Sequence, residues 1–315
     1  AWVDPRRGDA SFAEVAATWL AQNPAKRAST RTRDEAIVRL YLDPVLGTRR
    51  LGSITPADVR ALVAGWSRSP RTVKRMYGVL RAIFNYAVNS DLIGRSPCRG
   101  IKLPTPQAID CHVVDGDAPA ALAEATGEYR PMVYLGAVLG LRWAECAGLR
   151  VGRLDLLRST LTVAEQLDRD GRTAPPKSAA GRRTLGVPSW LVEMLGEHLA
   201  RRGLTGADTD ALVFVAPDGG PLDYTNWRRR VWQPATKAAG LDGLKFHDLR
   251  RASATAMVLD GVDVRTAQAR LGHSDPRLTL AVYAQATDEG DQVATDALGA
   301  RFQPGARHGR AIEAP

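Results

Sequence analysis

Arg142, Lys177, His247, Arg250, His273 and Tyr283, spread over the last two thirds of the sequence, combine an oxygen nucleophile, a proton donor and several cationic hydrogen-bond donors. That set suits breaking and rejoining a phosphodiester without a metal ion. A phenol with a pKa near about 10 attacks phosphorus poorly at neutral pH, so Tyr283 needs a base or a positive field. Two arginines supply the field. In His247-Asp248-Leu249-Arg250 a helical i to i+3 spacing puts the imidazole and the guanidinium on one face. The guanidinium fork matches two non-bridging phosphate oxygens, and the imidazole can donate to the same centre. Arg142 interrupts an apolar helix and precedes Glu145 by three, a spacing at which the carboxylate can orient it. Lys177 stands in the turn of an expected hairpin, and Lys237 and Lys245 are further lysines close in sequence to other site residues. Taken singly, each residue has an ordinary reading: a solvated arginine, a helix-capping histidine, a core tyrosine, a loop lysine. Only the combination carries chemistry.

The elements that must position these residues fall into two groups. The first third reads as four helices. Ser11 with Glu14 makes a capping box before the stripe Phe12, Val15, Ala16, Trp19, Leu20. A second helix is expected from about Thr32 to Leu42, stopping before Pro44. Thr55-Pro56-Ala57-Asp58 starts a third. The fourth begins at Ser69-Pro70 and carries Val73, Met76, Tyr77, Leu80, Ile83, Phe84 and Ala87 on one face, with Arg71, Lys74, Arg75 and Arg81 flanking it and able to reach phosphates. Three prolines between Ser96 and Pro106 mark a linker. Beyond it, a helix from Tyr129 to Leu139 leads into Arg142. Ser159 to Gln166 and Arg182 to Val187 read as a strand and its return around the turn residues Asp168 to Gly171. Helices resume at 188–201, 226–239, 247–260 and 264–271.

Composition narrows the class. The net charge is +9 in 315 residues, and 18 Lys and Arg against 8 Asp and Glu lie in residues 1–107, leaving 25 against 26 for the rest. A basic module beside a neutral one fits a holder of polyanion backbone joined to a unit that does chemistry. The length suits two domains. Apolar stretches such as Met132 to Leu141 fall short of the roughly 20 residues a membrane helix needs, which with the lack of a leader-like start suggests a cytoplasmic protein without membrane contact. Cys98, Cys111 and Cys146 form no C-x-x-C pair, and the five histidines show no ligand-like spacing, so neither a disulfide framework nor a metal site is expected.

Gly140-Leu141-Arg142 with Glu145, Pro176-Lys177-Ser178 before Arg182-Arg183-Thr184, His247-Asp248-Leu249-Arg250, Leu271-Gly272-His273 and Tyr283 together resemble, in order and approximate spacing, the tyrosine recombinase or phage integrase family, over about residues 10–300. The opening Trp2-Val3-Asp4-Pro5-Arg6-Arg7 looks like the joint between an arm-site DNA-binding domain and the core in integrases of actinobacterial phages. The resemblance implies a mainly α fold with a small antiparallel sheet: a helical, SAM-like core-binding domain plus an α+β catalytic domain. Boundaries would then be 1–9 for a joint to an arm-binding domain possibly absent from this sequence, 10–102 for core-site DNA binding, 103–112 for a linker, 113–303 for catalysis and 304–315 for a flexible tail. It also implies a cofactor-free transesterification. Tyr283 would form a 3′-phosphotyrosyl link, Lys177 would protonate the departing 5′-oxygen, and Arg142 and Arg250 would stabilise the pentacoordinate transition state. His247 would donate a hydrogen bond or accept a proton, His273 would support the same oxygens or position the tyrosine, and Glu145 would be structural to the site. The implied partners are double-stranded DNA attachment sites, three further copies in a tetramer on DNA, and a host bending or excision factor. Gln285 departs from the pattern, since many relatives carry histidine two residues after the nucleophile.

Two alternatives share the scaffold, a dimer-resolving recombinase of the Xer type and a catalytically silent DNA-binding regulator. A topoisomerase of the same chemistry and a metal-dependent nuclease stand further off.

Overall fold

The computed structural model describes residues 9–105 and 117–277 apart from 23, 25, 169 and 177, together with the isolated positions 280 and 295. The expected joint at 1–9 and linker at 103–112 fall mostly outside them, and the expected tail wholly so. The chain divides into two compact units, Ala1–Asp110 and Cys111–Pro315. Among the described residues helices dominate both, and strands occur in the second alone.

In the first unit, helices α1 (Phe12–Ala21) and α2 (Ala28–Ile37) lead through a π-helical turn, Val38–Leu42, into α3 (Asp43–Leu46). The Ser11 hydroxyl accepts from the Glu14 N–H while the Glu14 carboxylate accepts from the Ser11 N–H, the reciprocal cap expected from the sequence. The second helix, however, does not stop before Pro44. A proline in an unbroken α-helix lacks the N–H for the i−4 carbonyl and presses its ring against it. Here the N–H of Asp43 reaches back five residues to the Val38 carbonyl, and the wider turn makes room for the ring. The same device recurs in the second unit, as described below.

Helix α4 (Pro56–Ala64) has the Thr55/Asp58 capping box, and α5 (Pro70–Asn89) is capped by the Ser69 hydroxyl. Val73, Met76, Tyr77, Leu80, Ile83, Phe84 and Ala87 of α5 are buried, packing with Phe12, Trp19, Leu42, Leu46 and Val59 into one core. Arg71, Lys74, Arg75 and Arg81 are exposed, and α5 contains no acidic residue.

The second unit begins with α6 (Ala118–Ala125), α7 (Arg130–Ala137) and the short α8 (Trp143–Ala147). Five short strands follow: β1 (Leu154–Asp155), β2 (Thr160–Val163), β3 (Gln166–Leu167), β4 (Thr173–Ala174) and β5 (Arg183–Gly186). The single hairpin read from the sequence is split. β3 pairs with β4 across the Asp168 turn, while β5 returns to β2 in an antiparallel sheet of order β1-β2-β5, with Leu161 opposite Leu185 and Val163 opposite Arg183.

Helix α9 (Ser189–Arg201) follows. Then α10 (Tyr224–Trp227), a second π-turn at Arg228–Trp232 and α11 (Gln233–Ala238) run on from one another, with Pro234 placed just after the π-turn as Pro44 is. Helices α12 (Phe246–Leu259) and α13 (Val264–Leu271) complete the described part. Trp227 stacks on Trp232 at 5.5 Å between ring centroids, Phe246 meets both, and the Trp232 indole donates to the Leu244 carbonyl. Leu249 joins that core, which fixes the rotation of α12 about its axis.

Burial raises the Cys146 thiol well above its ordinary range and pushes Cys98 up to about 11, so both behave as packing groups rather than nucleophiles. Cys111 lies outside the described residues. Among those residues no helix is long and apolar enough to cross a membrane.

Candidate active site

The chain leaves α7 at Gly140, whose φ of +66° is a left-handed conformation open to glycine. A Cβ there would also lie 2.6 Å from Leu271 Cδ2. This turn delivers Arg142 to the first position before α8. The Arg142 N–H donates to Glu145 Oε2 at 2.9 Å and its Nη1 donates to Glu145 Oε1 at 2.7 Å. The orienting carboxylate expected from the i to i+3 spacing therefore sits against the guanidinium. The Glu145 side chain is 2% exposed, whereas Arg142 keeps 37% of its side chain exposed.

Arg250 projects from α12 into the interior and is 2% exposed. Its Nη1 donates to the Gly140 carbonyl at 2.6 Å and its Nη2 donates to the Leu271 carbonyl. Burial first, then the nearby Arg142 and Arg183 charges against the pull of Glu145, push its pKa down to about 9, so it stays a cation at neutral pH. His247, three residues earlier on the same helix, is exposed. The simple picture of two side chains presented alike on one helix face thus needs correction, since the guanidinium reaches inward to tie two loops and the imidazole does not.

His273 follows Gly272, the left-handed cap of α13 with φ of +63°. A Cβ on Gly272 would meet the Ala180 carbonyl at 2.8 Å and Arg183 Nη1 at 3.0 Å, so the turn closes directly on the loop before β5. Burial, then Arg250, Arg142, His247 and Arg183, bring the His273 pKa down to about 4. His247 is lowered by partial desolvation and then by Arg250 and Arg142, against the opposing pull of Asp248. Both imidazoles are neutral at pH 7 and can each donate one hydrogen bond and accept one. Arg142, Glu145, His247, Arg250 and His273 therefore form one electrostatically coupled cluster, in which Arg142 and Arg183 pair with the single carboxylate of Glu145 and Arg250 adds a third positive charge nearby. Such a centre has an unbalanced positive charge and suits an anion. Lys177, Tyr283 and Gln285 lie outside the described residues.

Two features escaped the sequence reading. Arg183 has no individual role within the sequence motif Arg182-Arg183-Thr184, yet its guanidinium is 6% exposed and donates to Glu145, to the Gly181 carbonyl and, through Nε, to the Arg270 carbonyl. A signal was present: in β5 Arg183 falls two residues from Leu185, on the core-facing side. The second is Arg228-Arg229-Arg230 in the π-turn, all exposed, with no ion-pair partner among the described residues. They lie just after Tyr224, which packs edge-on against Trp143 at 4.9 Å.

A family model described as the phage integrase family matches residues 120–289, and one for the phage integrase central domain matches residues 12–103. The integrase of Mycobacterium phage L5 is 30% identical over 272 residues, covering 82% of this chain and 71% of the relative. That of Mycobacterium phage D29 is 29% identical over 298 residues, covering 89% and 78%. Among solved structures, the Tn1549 transposon integrase in complex with a circular intermediate DNA superposes with a TM-score of 0.78 at 17% identity, covering 91% of this chain and 99% of that one.

Proposed function

The chain belongs to the phage integrase family, whose tyrosine recombinases cleave and rejoin DNA, and we propose that it does so as a phage or mobile-element integrase with Tyr283 as nucleophile. In this reading the phenol loses its proton and its oxygen attacks the scissile phosphorus. The P–O5′ bond breaks, the 5′-oxygen takes a proton from Lys177, and a 3′-phosphotyrosyl link remains. A 5′-hydroxyl from a second duplex reverses the sequence and releases the tyrosine, so the phosphodiester count is conserved and no nucleotide triphosphate is consumed.

Arg142, whose edge is exposed, acts on the non-bridging oxygens, where charge concentrates in the pentacoordinate state, and the buried Arg250 adds its positive charge from the interior behind it. Fixed cations in a partly desolvated site stabilise that charge without reorganising. The neutral His247 is suited to take up or return the phenolic proton, and His273 to donate to a phosphate oxygen. The observation that carries this reading is the pairing of Arg142 and Arg183 with the buried Glu145, next to the buried Arg250 and two imidazoles whose pKa values these arginines lower, inside a region that matches the family model.

Residues 10–102 would hold the duplex through Arg71, Lys74, Arg75 and Arg81 of α5, and residues 113–303 would carry the chemistry. Arg228, Arg229 and Arg230, exposed and without ion-pair partners among the described residues, add a cationic surface to the second unit. Two cut duplexes need four nucleophiles, so a tetramer on DNA is the working assembly.

The test uses duplex DNA from the attachment junction flanking the coding sequence, nicked beside the cleavage point so that the product cannot religate. In EDTA, wild type should give a protein–DNA adduct that survives detergent and Tyr283→Phe should give none. Wild-type protein that binds this DNA without ever linking to it would establish the silent regulator instead, and cleavage abolished by EDTA would establish a metal-dependent nuclease.

A further inference from the structure

We infer that Arg183 is a positioning residue that sets the placement of both Arg142 and His273, an inference that rests on the proposed recombinase chemistry for its functional half. The guanidinium occupies the junction of three segments that are far apart in sequence. Through Nη1 and Nη2 it donates to Glu145 at 3.3 and 3.0 Å, and Glu145 in turn holds the Arg142 guanidinium and its backbone N–H. Nε donates to the Arg270 carbonyl at 2.6 Å, one residue before the Leu271 carbonyl that accepts from Arg250. Nη1 also donates to the Gly181 carbonyl at 3.0 Å, which fixes the loop running into β5.

Consecutive carbonyls, those of Arg270 and Leu271, are thus each held by a different buried arginine. Between them they fix the Gly272 turn and the direction in which His273 leaves it.

Geometry separates this residue from a generic buried ion pair. The planar fork is needed because its donors go to a carboxylate and two carbonyls in different directions, which an ammonium cannot reproduce from one point. Glu145 is also shared. Its pKa feels burial most strongly, which raises it, but the Arg183 hydrogen bond and charge with those of Arg142 outweigh burial and hold it below the usual range. Removing Arg183 leaves Glu145 with Arg142 alone, and a carboxylate with spare acceptor capacity draws the Arg142 guanidinium inward, away from the exposed edge it offers to an anion.

The experiment compares full-length Arg183→Met and Arg183→Lys with wild type. Adduct formation on the nicked duplex at saturating DNA is measured in each, alone and with Arg142→Ala, and the His273 imidazole is followed by NMR titration. Arg183→Met is expected to slow adduct formation about 10- to 100-fold, comparable with the loss of residues that orient ligands in other sites. DNA affinity should change by less than about twofold, and Arg183→Lys should recover part of the rate. In the Arg142→Ala background the same change should cost at least tenfold less, because residues acting as a unit are not additive. The His273 pKa should rise above about 4 in Arg183→Met, while burial and the Arg250 charge still hold it below its ordinary value. Losses that multiply independently, or a His273 titration unchanged in Arg183→Met, would overturn the inference. The NMR arm decides placement even if wild type forms no adduct, an outcome that would count against the recombinase reading itself. Should Arg183→Met not fold, the charge-retaining Arg183→Lys carries both readouts.

Discussion

Glu145 is the residue on which the site's electrostatics turn. It is buried against Arg183 and also holds the partly exposed Arg142, and removing one partner from a buried pair leaves an uncompensated charge, at a cost of about 3–5 kcal/mol. Glu145→Ala should lower the unfolding free energy by that order in a denaturant titration, while a change under about 1 kcal/mol would mean solvent already screens the cluster. His273 gives a pH signature. Its folded pKa of about 4 lies below the unfolded value near about 6.5, so between these the unfolded chain binds the extra proton. The stability it contributes is complete above about pH 6.5 and is lost as pH falls toward 4. Tm should therefore drop across that window, and His273→Asn should flatten the drop. An equal slope in both proteins would remove His273 as its source. The sequence made Arg142, Glu145 and the His-x-x-Arg pair legible because fixed helical spacings imply proximity. It left Arg183 without a role because its partners lie 38 and 87 residues away and only the strand pairing brings them together.

Elements show the same division between local and distant causes. Caps are local, and the Ser11, Thr55 and Ser69 starts were all readable. The π-turns before Pro44 and Pro234 were not, because proline chemistry predicts a stop or a kink and does not say which neighbouring turn will widen to avoid either. The split hairpin was hidden for a similar reason, since alternation identifies strands but not their partners. On α5, Gly78 lies i+4 from Lys74, i+3 from Arg75 and i−3 from Arg81, and nothing stands within 4 Å of where its Cβ would be. An exposed mid-helix glycine costs about 0.5–1 kcal/mol relative to alanine, and no packing among the described residues offsets it. Seating a DNA backbone between the four cations supplies a reason for a smooth helix face. Gly78→Ala should raise stability by about that amount and weaken DNA binding. Undiminished affinity would show that the duplex is not seated there. Arg71→Ala, Lys74→Ala and Arg75→Ala should each reduce the slope of log affinity against log salt by about one. Unchanged slopes in all three would place α5 away from the DNA.

The two units differ in their electrostatic make-up. The first carries most of the excess positive charge, as the count of charged residues along the sequence already indicated. The second is close to neutral overall, yet it concentrates Arg142, Arg183 and Arg250 around one carboxylate and presents Arg228–Arg230 on an exposed turn. A net count could not reveal that, because acids elsewhere in the unit cancel the sum without being near the cluster. Tyr283, as the proposed nucleophile, must become the covalent link to DNA. The most direct measurement is mass spectrometry of the protease- and nuclease-trimmed adduct formed on the nicked duplex in EDTA. A 3′-nucleotide attached to Tyr283 is the predicted result. A link to any other residue, or to a 5′-phosphate, would contradict it.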